Sequence, residues 1–262
     1  MRQRNPIQLP VSKKWLVDGF CWYTKRMVAK QFMSFGIQDE LLEAQPVAST
    51  SPIIAYANHA SWWDPIAAML LQKAYFSDRT FYAPIDADAL EKYRIMAKLG
   101  FYGVRLESFD GTSAFLSATK AILESKNATI WITPEGQFSD CRDHSLPLMP
   151  GLSHLASKFS EVTFLPLAFE YGFWNESRPQ IFARFGSPIS ASTSMQKGEW
   201  AALLAERLRS TQRELAQSVQ ARDPAVFKYI IESRPIRHGL YDHMRSWSAW
   251  LRGKPFDPRH SS

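Results

Sequence analysis

PIIAYANHASWWDP, residues 52–65, begins with the short apolar run Pro52–Ala57, which predicts a buried strand. A polar break follows this run, and an apolar stretch at 62–75 then predicts a helix. A strand that leads through a polar loop into a helix is the repeating unit of layered α/β domains. The stretch therefore predicts that fold, with the polar loop at the carboxyl end of a strand.

The same alternation of strands and helices continues along the chain. Further strands are predicted at 80–83, 101–106, 128–132, 162–169 and 181–185. Further helices are predicted at 87–99, 111–124, 150–159 and 195–220. This order predicts a single layered α/β domain in which helices flank a largely parallel central sheet. Functional side chains of such sheets usually lie in loops at the carboxyl ends of strands.

His59 and Asp64 lie in the loop after the first of these strands. A carboxylate placed shortly after a histidine can fold back onto one ring nitrogen and leave the other free to accept a proton. A structural alternative is also specific: Ser61 can cap the following helix, with Asp64 completing a variant capping box. His59 is then an ordinary loop histidine, and this loop alone leaves both interpretations open.

Glu135 and Gly136 follow the predicted strand 128–132 in the turn TPEG, residues 133–136. A Pro-Glu-Gly turn at the carboxyl end of a strand places a carboxylate at the rim of the sheet. Glycine supplies the backbone freedom that such a turn needs. Because turns of this kind are common, Glu135 is a candidate site residue only in combination with the His59 loop.

Composition restricts the classes of function. The chain of 262 residues carries 31 Lys and Arg against 25 Asp and Glu, a net charge of +6. This balance suits nucleic acid, an anionic membrane or an acidic co-substrate such as coenzyme A. Cys21 and Cys141 indicate neither a disulfide framework nor a zinc site. The chain contains no apolar run of about 20 residues, which a membrane-spanning helix would need. Together with the low cysteine content, this leads us to expect a cytoplasmic protein that is peripheral on the inner membrane face.

Basic and aromatic residues are interleaved near both ends of the chain. Residues 12–33 carry apolar side chains at roughly helical spacing between lysines and arginines, and residues 237–259 repeat that composition. A helix of this kind can lie among lipid headgroups or can cover the core of its own domain. We predict a membrane-contact segment at 1–45, a central domain at 46–232 and a basic aromatic tail at 233–262. No nucleic-acid module is recognisable, so no nucleic acid is expected as a partner.

Four short blocks together resemble the glycerolipid, or lysophosphatidic acid, acyltransferases. NHASWWDP at 58–65 is similar to that family's N-H-x-x-x-x-D block, and TPEG at 133–136 is similar to its F-P-E-G block. Residues 100–106 occupy the place of its G-x-x-x-V-x-R block, and LPL at 165–167 occupies that of its V-P-V block. The blocks occur in the family's order, and the first is the most specific.

The resemblance implies a glycerol-3-phosphate acyltransferase-like fold and a direct acyl transfer. His59 is then the general base on the acceptor hydroxyl, oriented by Asp64. The acyl group is expected from acyl-CoA or acyl-carrier protein as co-substrate. Asn58, Glu135 and Gly136 are expected in the acceptor site. No other cofactor and no metal are expected, and the chain contains no G-x-S-x-G nucleophile motif.

Two departures from the family pattern concern the acceptor. Gln137 and Phe138 stand where the family continues with Thr-Arg, and Leu106 stands at a second expected arginine, with Arg105 one residue early. The resemblance implies that these arginines hold the acceptor's phosphate, which a guanidinium fits well. Either Arg105 or Arg142 substitutes for them, or the acceptor lacks a phosphate monoester. A lysolipid with a larger head group, a glycolipid or a glycosylated isoprenoid (carotenoid-type) alcohol would meet the second condition.

The resulting prediction is a lipid O-acyltransferase similar to the 1-acylglycerol-3-phosphate O-acyltransferases, acting on a lysophospholipid or related lipid hydroxyl. The nearest alternative is a thioesterase or lipid esterase that uses the His59–Asp64 pair on water. A non-enzymatic alternative is a membrane-associated scaffold in which that pair is structural. The expected partners are a membrane lipid surface, the acyl donor and the lipid acceptor.

Overall fold

The central sheet contains nine strands in the part of the chain that the structure describes. This computed structural model describes residues 9–48, 51–105, 109–125, 127–191, 195–233, 247 and 251–252. In chain order the strands are β1 (Ser34–Gln38), β2 (Ile53–Ala57), β3 (Thr80–Asp86), β4 (Phe101–Val104), β5 (Ala128–Ile132), β6 (Thr163–Gly172), β7 (Gln180–Phe185), β8 (Ile189–Ser190) and β9 (Lys228–Glu232). The order across the sheet is β4-β3-β5-β2-β6-β7-β1-β9, with β8 paired to β6.

Helices cover both faces of this sheet. They are α1 (Lys14–Gln31), α2 (Glu40–Ala44), α3 (Asp64–Tyr75), α4 (Ala87–Lys92), α5 (Ile95–Leu99), α6 (Phe109–Leu123), α7 (Pro150–Lys158) and α8 (Lys197–Ala221). Buried residues of α1, α3 and α5 belong to one apolar cluster, and those of α6 and α7, with the first half of α8, belong to a second. A sheet covered on both faces explains why its central strands are continuously apolar.

β2 shows how the PIIAYA run builds both layers. Ile53, Ala55 and Ala57 belong to the cluster under α1 and α3, whereas Ile54 and Tyr56 belong to the cluster under α6, α7 and α8. All five residues are buried. β2 pairs in parallel with β5 on one side and with β6 on the other. Because parallel strands end at the same edge, the loops after β2 and β5 emerge side by side.

The predicted α/β domain with a largely parallel sheet flanked by helices is confirmed. The parallel pairs are β1–β7, β2–β5, β2–β6, β3–β4 and β3–β5. The antiparallel pairs are β1–β9, β6–β7 and β6–β8. The region from β4 to β6, which carries the NHASWWDP and TPEG loops, is therefore entirely parallel along the main strand order.

The sequence pattern does not predict β1, β8, β9 or α2. β1 reads SFGIQ, with a glycine at its centre and polar residues at both ends, yet all five residues are buried. Gly36 suits this strand because a Cβ there would lie 3.1 Å from the Cβ of Phe227. β1 falls within the segment 1–45, and the boundary between that segment and the central domain stays a prediction.

The two ends of the chain are described to different extents. α1 packs against α3, α5 and β9, so its buried side covers the domain. Most of the tail predicted at 233–262 lies outside the described residues. Within the described ranges, no helix has the length and apolar character needed to cross a membrane.

Candidate active site

His59 and Asp64 form a hydrogen-bonded pair at the carboxyl end of β2. His59 Nδ1 lies 2.8 Å from Asp64 Oδ2. Asp64 is the first residue of α3, and Pro65 at the next position suits a helix start. The Asp64 side chain is 2% exposed and the His59 side chain 19% exposed. Because the carboxylate requires a proton on Nδ1, Nε2 is left as the basic nitrogen.

Ser61 does not cap α3 as the structural interpretation expected, since the helix begins at Asp64 with Trp63 at its N-cap, but two local hydrogen bonds of that interpretation are present. Asp64 Oδ2 accepts a hydrogen bond from the Ser61 N–H at 2.9 Å, and Ser61 Oγ accepts one from the Trp63 N–H at 3.2 Å. Asp64 Oδ2 therefore stabilises the start of the helix and also contacts the imidazole. The two interpretations of Asp64 are compatible, since one oxygen can accept from two donors.

Tyr171 contacts the other oxygen of this carboxylate. Its hydroxyl donates to Asp64 Oδ1 at 2.6 Å. Tyr171 lies in β6, the parallel neighbour of β2. Burial, followed by the charge of Asp64, raises the pKa of Tyr171 well above its usual value, so the hydroxyl stays a donor. Sequence reasoning missed this residue because 107 positions separate it from Asp64.

Glu135 supports the His59 loop from the neighbouring strand. Its side chain is fully buried. Oε2 accepts hydrogen bonds from the His59 N–H at 3.1 Å and from Ser139 Oγ at 2.8 Å, while Oε1 lies 2.6 Å from Nη1 of Arg209. The geometry thus gives Glu135 a role in holding loops together. The acceptor-binding role implied by the family resemblance stays a prediction.

Arg209, which binds Glu135, lies on α8, and α8 lies on the face of the sheet opposite α3. Its Nη1 also contacts Gln212 Oε1 at 2.8 Å, and its Nη2 donates to the Leu146 carbonyl. The guanidinium is nine-tenths buried, which is unusual for a charge unless it is paired. The sequence predicted α8 as a charged outer helix, and its local pattern does not separate Arg209 from the exposed arginines beside it.

Gly136 and Asn58 shape the two loops. Gly136 has φ +71, and a Cβ there would lie 2.6 Å from the sulfur of Met149, so the turn requires glycine. Asn58 is buried, and its side chain donates to the carbonyl of Phe169 and accepts from its N–H, at 3.0 and 2.8 Å. Asn58 therefore joins the end of β2 to β6. A substrate contact by Asn58 stays a prediction.

Arg105 and Arg142, the two predicted phosphate ligands, have carboxylate partners. Arg105 follows the edge strand β4 and lies 3.0 Å from Asp88 and 3.6 Å from Glu91. Arg142 holds Asp140 through two nitrogens at 2.6 and 2.8 Å. Both arginine side chains are exposed. Within the described residues, neither has a hydrogen bond or ion pair with His59 or Asp64.

Phe138, which stands at the arginine of the family's Thr-Arg pair, lies against the imidazole. The ring centroids of Phe138 and His59 are 4.2 Å apart, with the planes inclined by 34°. Phe138 is 62% exposed and Trp62 is 64% exposed. Trp63 packs edge-on against Phe32 and belongs to the core, unlike the exposed Trp62. The ring of Phe138 therefore covers part of the imidazole.

These features define a member of a known enzyme family. The Acyltransferase family model matches residues 38–170, just over half of the chain, and the chain belongs to that family. Among solved structures, the fold is similar to that of the 1-acyl-sn-glycerophosphate (LPA) acyltransferase PlsC from Thermotoga maritima. The TM-score is 0.52 at 17% sequence identity, over 80% of this chain and 82% of that chain. The comparison with curated proteins found no match. The family and fold expected from the motifs are thus confirmed.

Across the described residues, no cluster of three or more His, Cys, Asp or Glu side chains is arranged to hold a metal ion. The polar groups around His59 are instead paired with one another. The arrangement leaves one basic nitrogen, Nε2 of His59, beside the ring of Phe138. An imidazole held in this way can accept a proton from a bound hydroxyl and return it.

Proposed function

We propose that the protein transfers a fatty acyl group from acyl-CoA or acyl-carrier protein to the hydroxyl of a lysophospholipid or related lipid. The observation that supports this most is the His59–Asp64 pair, at 2.8 Å, in the NHASWWDP loop of an Acyltransferase family member. A buried carboxylate that holds Nδ1 orients Nε2 for general base catalysis. The acyl donor is the co-substrate, and no other cofactor takes part in the proposal.

The proposed reaction is a single displacement at the thioester carbonyl. Nε2 of His59 takes the proton of the acceptor hydroxyl while the hydroxyl oxygen forms a bond to the thioester carbonyl carbon. The tetrahedral intermediate collapses, and the C–S bond breaks. The departing thiolate takes the proton from the imidazolium, which leaves the free thiol, the new ester and neutral His59. Asp64 stabilises the imidazolium between these two steps.

The nearby hydroxyl and thiol groups support direct transfer without an acyl-enzyme. Ser139 Oγ donates to Glu135, and Ser61 Oγ accepts from a backbone N–H. Burial raises the pKa of the Cys141 thiol to about 11, so little nucleophilic thiolate exists at neutral pH. None of these three groups is paired with His59 in the way a nucleophile needs.

A specific observation favours an acceptor without a phosphate monoester. Phe138 presents a ring to the imidazole, whereas Arg105 and Arg142 pair with Asp88, Glu91 and Asp140 rather than with His59 or Asp64. An aromatic surface favours apolar or sugar-bearing alcohols over a doubly charged phosphate. Within the proposed function, glycolipids and glycosylated isoprenoid alcohols are therefore the second acceptor class.

We propose that α1 holds the enzyme on the cytoplasmic face of the inner membrane. Cys21, Thr24 and Val28 face the domain, whereas Trp15 and Trp22, two helical turns apart, are exposed. The exposed side of α1 also carries several lysines. Tryptophan beside basic residues suits the headgroup region of an anionic leaflet. α1 thereby combines both alternatives considered for it, a cover for the core and a surface for lipid.

The proposed function is tested by incubating the protein with radiolabelled acyl-CoA, or acyl-carrier protein, and a total lipid extract from its source organism. Wild type is compared with His59→Ala. We expect labelled lipid only from wild type, and chromatography then identifies the acceptor. Acyl thioester hydrolysis without acceptor, at the rate seen with it, would support the thioesterase. Equal labelling by both proteins would reject His59 as the general base, and silence of both with both donors would favour the scaffold.

A further inference from the structure

Tyr171 holds the oxygen of Asp64 that faces away from the imidazole. Its hydroxyl lies 2.6 Å from Oδ1, while His59 Nδ1 and the Ser61 N–H contact Oδ2 at 2.8 and 2.9 Å. Each carboxylate oxygen thus has its own protein donors. A carboxylate bonded at both oxygens cannot rotate without losing one set of hydrogen bonds.

We propose that Tyr171 is a positioning residue for catalysis: it fixes the Asp64 carboxylate, whose negative charge it shares with His59. This inference rests on the proposed function, in which His59 is the general base. An oriented carboxylate keeps Nδ1 protonated and Nε2 aimed at substrate. The Tyr171 hydroxyl and the His59 ring bind opposite oxygens of one carboxylate, so loss of the hydroxyl changes the charge that faces the ring.

The other groups around His59 do not duplicate this effect. Glu135, from the loop after β5, contacts the main-chain N–H of His59, and its charge is offset by Arg209 of α8. Phe138 contacts the ring without a charge. On the side of Asp64, the described donors besides His59 are the Tyr171 hydroxyl and the Ser61 N–H.

Tyr171→Phe tests the proposal because it removes the hydroxyl and keeps the ring. The centroid of that ring lies 6.1 Å from the ring centroid of Phe32. We expect kcat to fall by about tenfold or more, as for loss of a hydrogen bond to a charged group. KM for the acyl thioester should change little. Without the hydroxyl, Asp64 favours the imidazolium more strongly, so the acid limb of the pH–rate profile should move to higher pH.

Tyr75→Phe is the matched control. Tyr75 also donates to a buried aspartate, Asp39 Oδ2, at 2.8 Å, but at a site remote from the imidazole. Its loss should lower the melting temperature without moving the pH profile. A merely structural Tyr171 would behave in the same way as Tyr75.

Two outcomes would overturn the inference. The first is a Tyr171→Phe variant with wild-type kcat and an unchanged pH profile, measured together with an inactive His59→Ala. This result would reject the role of Tyr171 and leave the proposed function intact. An inactive wild type would instead reject the proposed function, and NMR titration of the His59 imidazole would then decide about Tyr171. An unchanged titration midpoint in Tyr171→Phe would count against the inference, and a midpoint at higher pH would support it.

A second variant covers the case in which Tyr171→Phe does not fold. 3-Fluorotyrosine at position 171 keeps the shape of the side chain and makes the hydroxyl a stronger donor. The acid limb, or the NMR midpoint, should then move to lower pH. An unmoved profile with this replacement would also overturn the inference.

Discussion

Nη1 of Arg209 lies 2.6 Å from Oε1 of Glu135, and this buried ion pair joins α8 to the loop that supports His59. The other oxygen of Glu135 accepts the main-chain N–H of His59. A helix from one layer of the fold therefore holds the His59 loop through one carboxylate. Both charged groups are almost removed from solvent, so each depends on the other.

Arg209→Met should destabilise the protein by about 3–5 kcal/mol, because it leaves a buried carboxylate without its cation. Activity should fall at temperatures well below the transition, since the His59 loop loses its support. Denaturant unfolding monitored by circular dichroism measures the stability. Arg207→Met, at an exposed arginine on the same helix, is the control and should change stability by less than about 1 kcal/mol. Equal stabilities of the two variants would contradict the role given to the ion pair.

Asp64→Asn should lower kcat by about 10²–10⁴-fold, because the amide no longer holds the imidazole in the required tautomer. His59→Ala should lower it at least as much. Steady-state kinetics with the acceptor identified by the labelling experiment provides the measurement. His154→Ala, in α7 of the opposite layer, is the matched histidine control. A loss of activity there equal to that of His59→Ala would point to general misfolding.

Phe138→Arg should raise kcat/KM for lysophosphatidic acid relative to acceptors without a phosphate monoester. The change replaces an aromatic ring beside His59 with a guanidinium that binds phosphate oxygens. Competition between the two acceptor classes, followed by chromatography, measures the ratio. Tyr93→Arg adds the same charge at an exposed aromatic residue elsewhere and should leave the ratio unchanged. An unaltered ratio in Phe138→Arg would refute the role of Phe138 in acceptor choice.

Gly136→Ala should destabilise the protein by about 1–3 kcal/mol, since φ +71 disfavours a side chain and the new methyl would approach Met149. Gly198→Ala supplies the contrast. A Cβ at Gly198 meets nothing within 4 Å, and the residue lies in α8. Its replacement should stabilise by up to about 1 kcal/mol. Thermal unfolding of both variants tests the pair, and a stabilised Gly136→Ala would show that the turn tolerates other geometry.

Replacing both Trp15 and Trp22 with Glu should weaken binding to vesicles that contain anionic lipid by about tenfold or more, because two exposed aromatic anchors are lost. Wild-type binding should also weaken with rising salt. Vesicle sedimentation measures both effects. Val226→Glu adds a charge at another exposed apolar residue and should have little effect. Undiminished binding by the double variant would remove α1 from the proposed membrane surface.

The difference between the sequence prediction and the structure is clearest at the β1–β9 end of the sheet. The central strands were predicted because runs such as PIIAYA and ATIWI are apolar on both faces. β1 and β9 were missed because their local patterns are weak, and pairing with each other and with β7 stabilises them. Strand pairing between distant segments overrides weak local propensity.

The amino-acid sequence by itself determined the α/β class, the order of the main elements and the loop that carries His59 and Asp64. These depend on local periodicity and on residues a few positions apart. Only the tertiary structure decided that Tyr171 supports Asp64, that Arg209 supports Glu135, and that carboxylates hold Arg105 and Arg142. The first two contacts join residues on separate strands, loops and helices, and depend on strand order and register, which local patterns do not encode. The arginine pairs join residues that are nearer in sequence, 17 positions apart for Arg105–Asp88 and 2 for Arg142–Asp140. Which carboxylate each arginine binds still depends on the side chains that the fold places within reach.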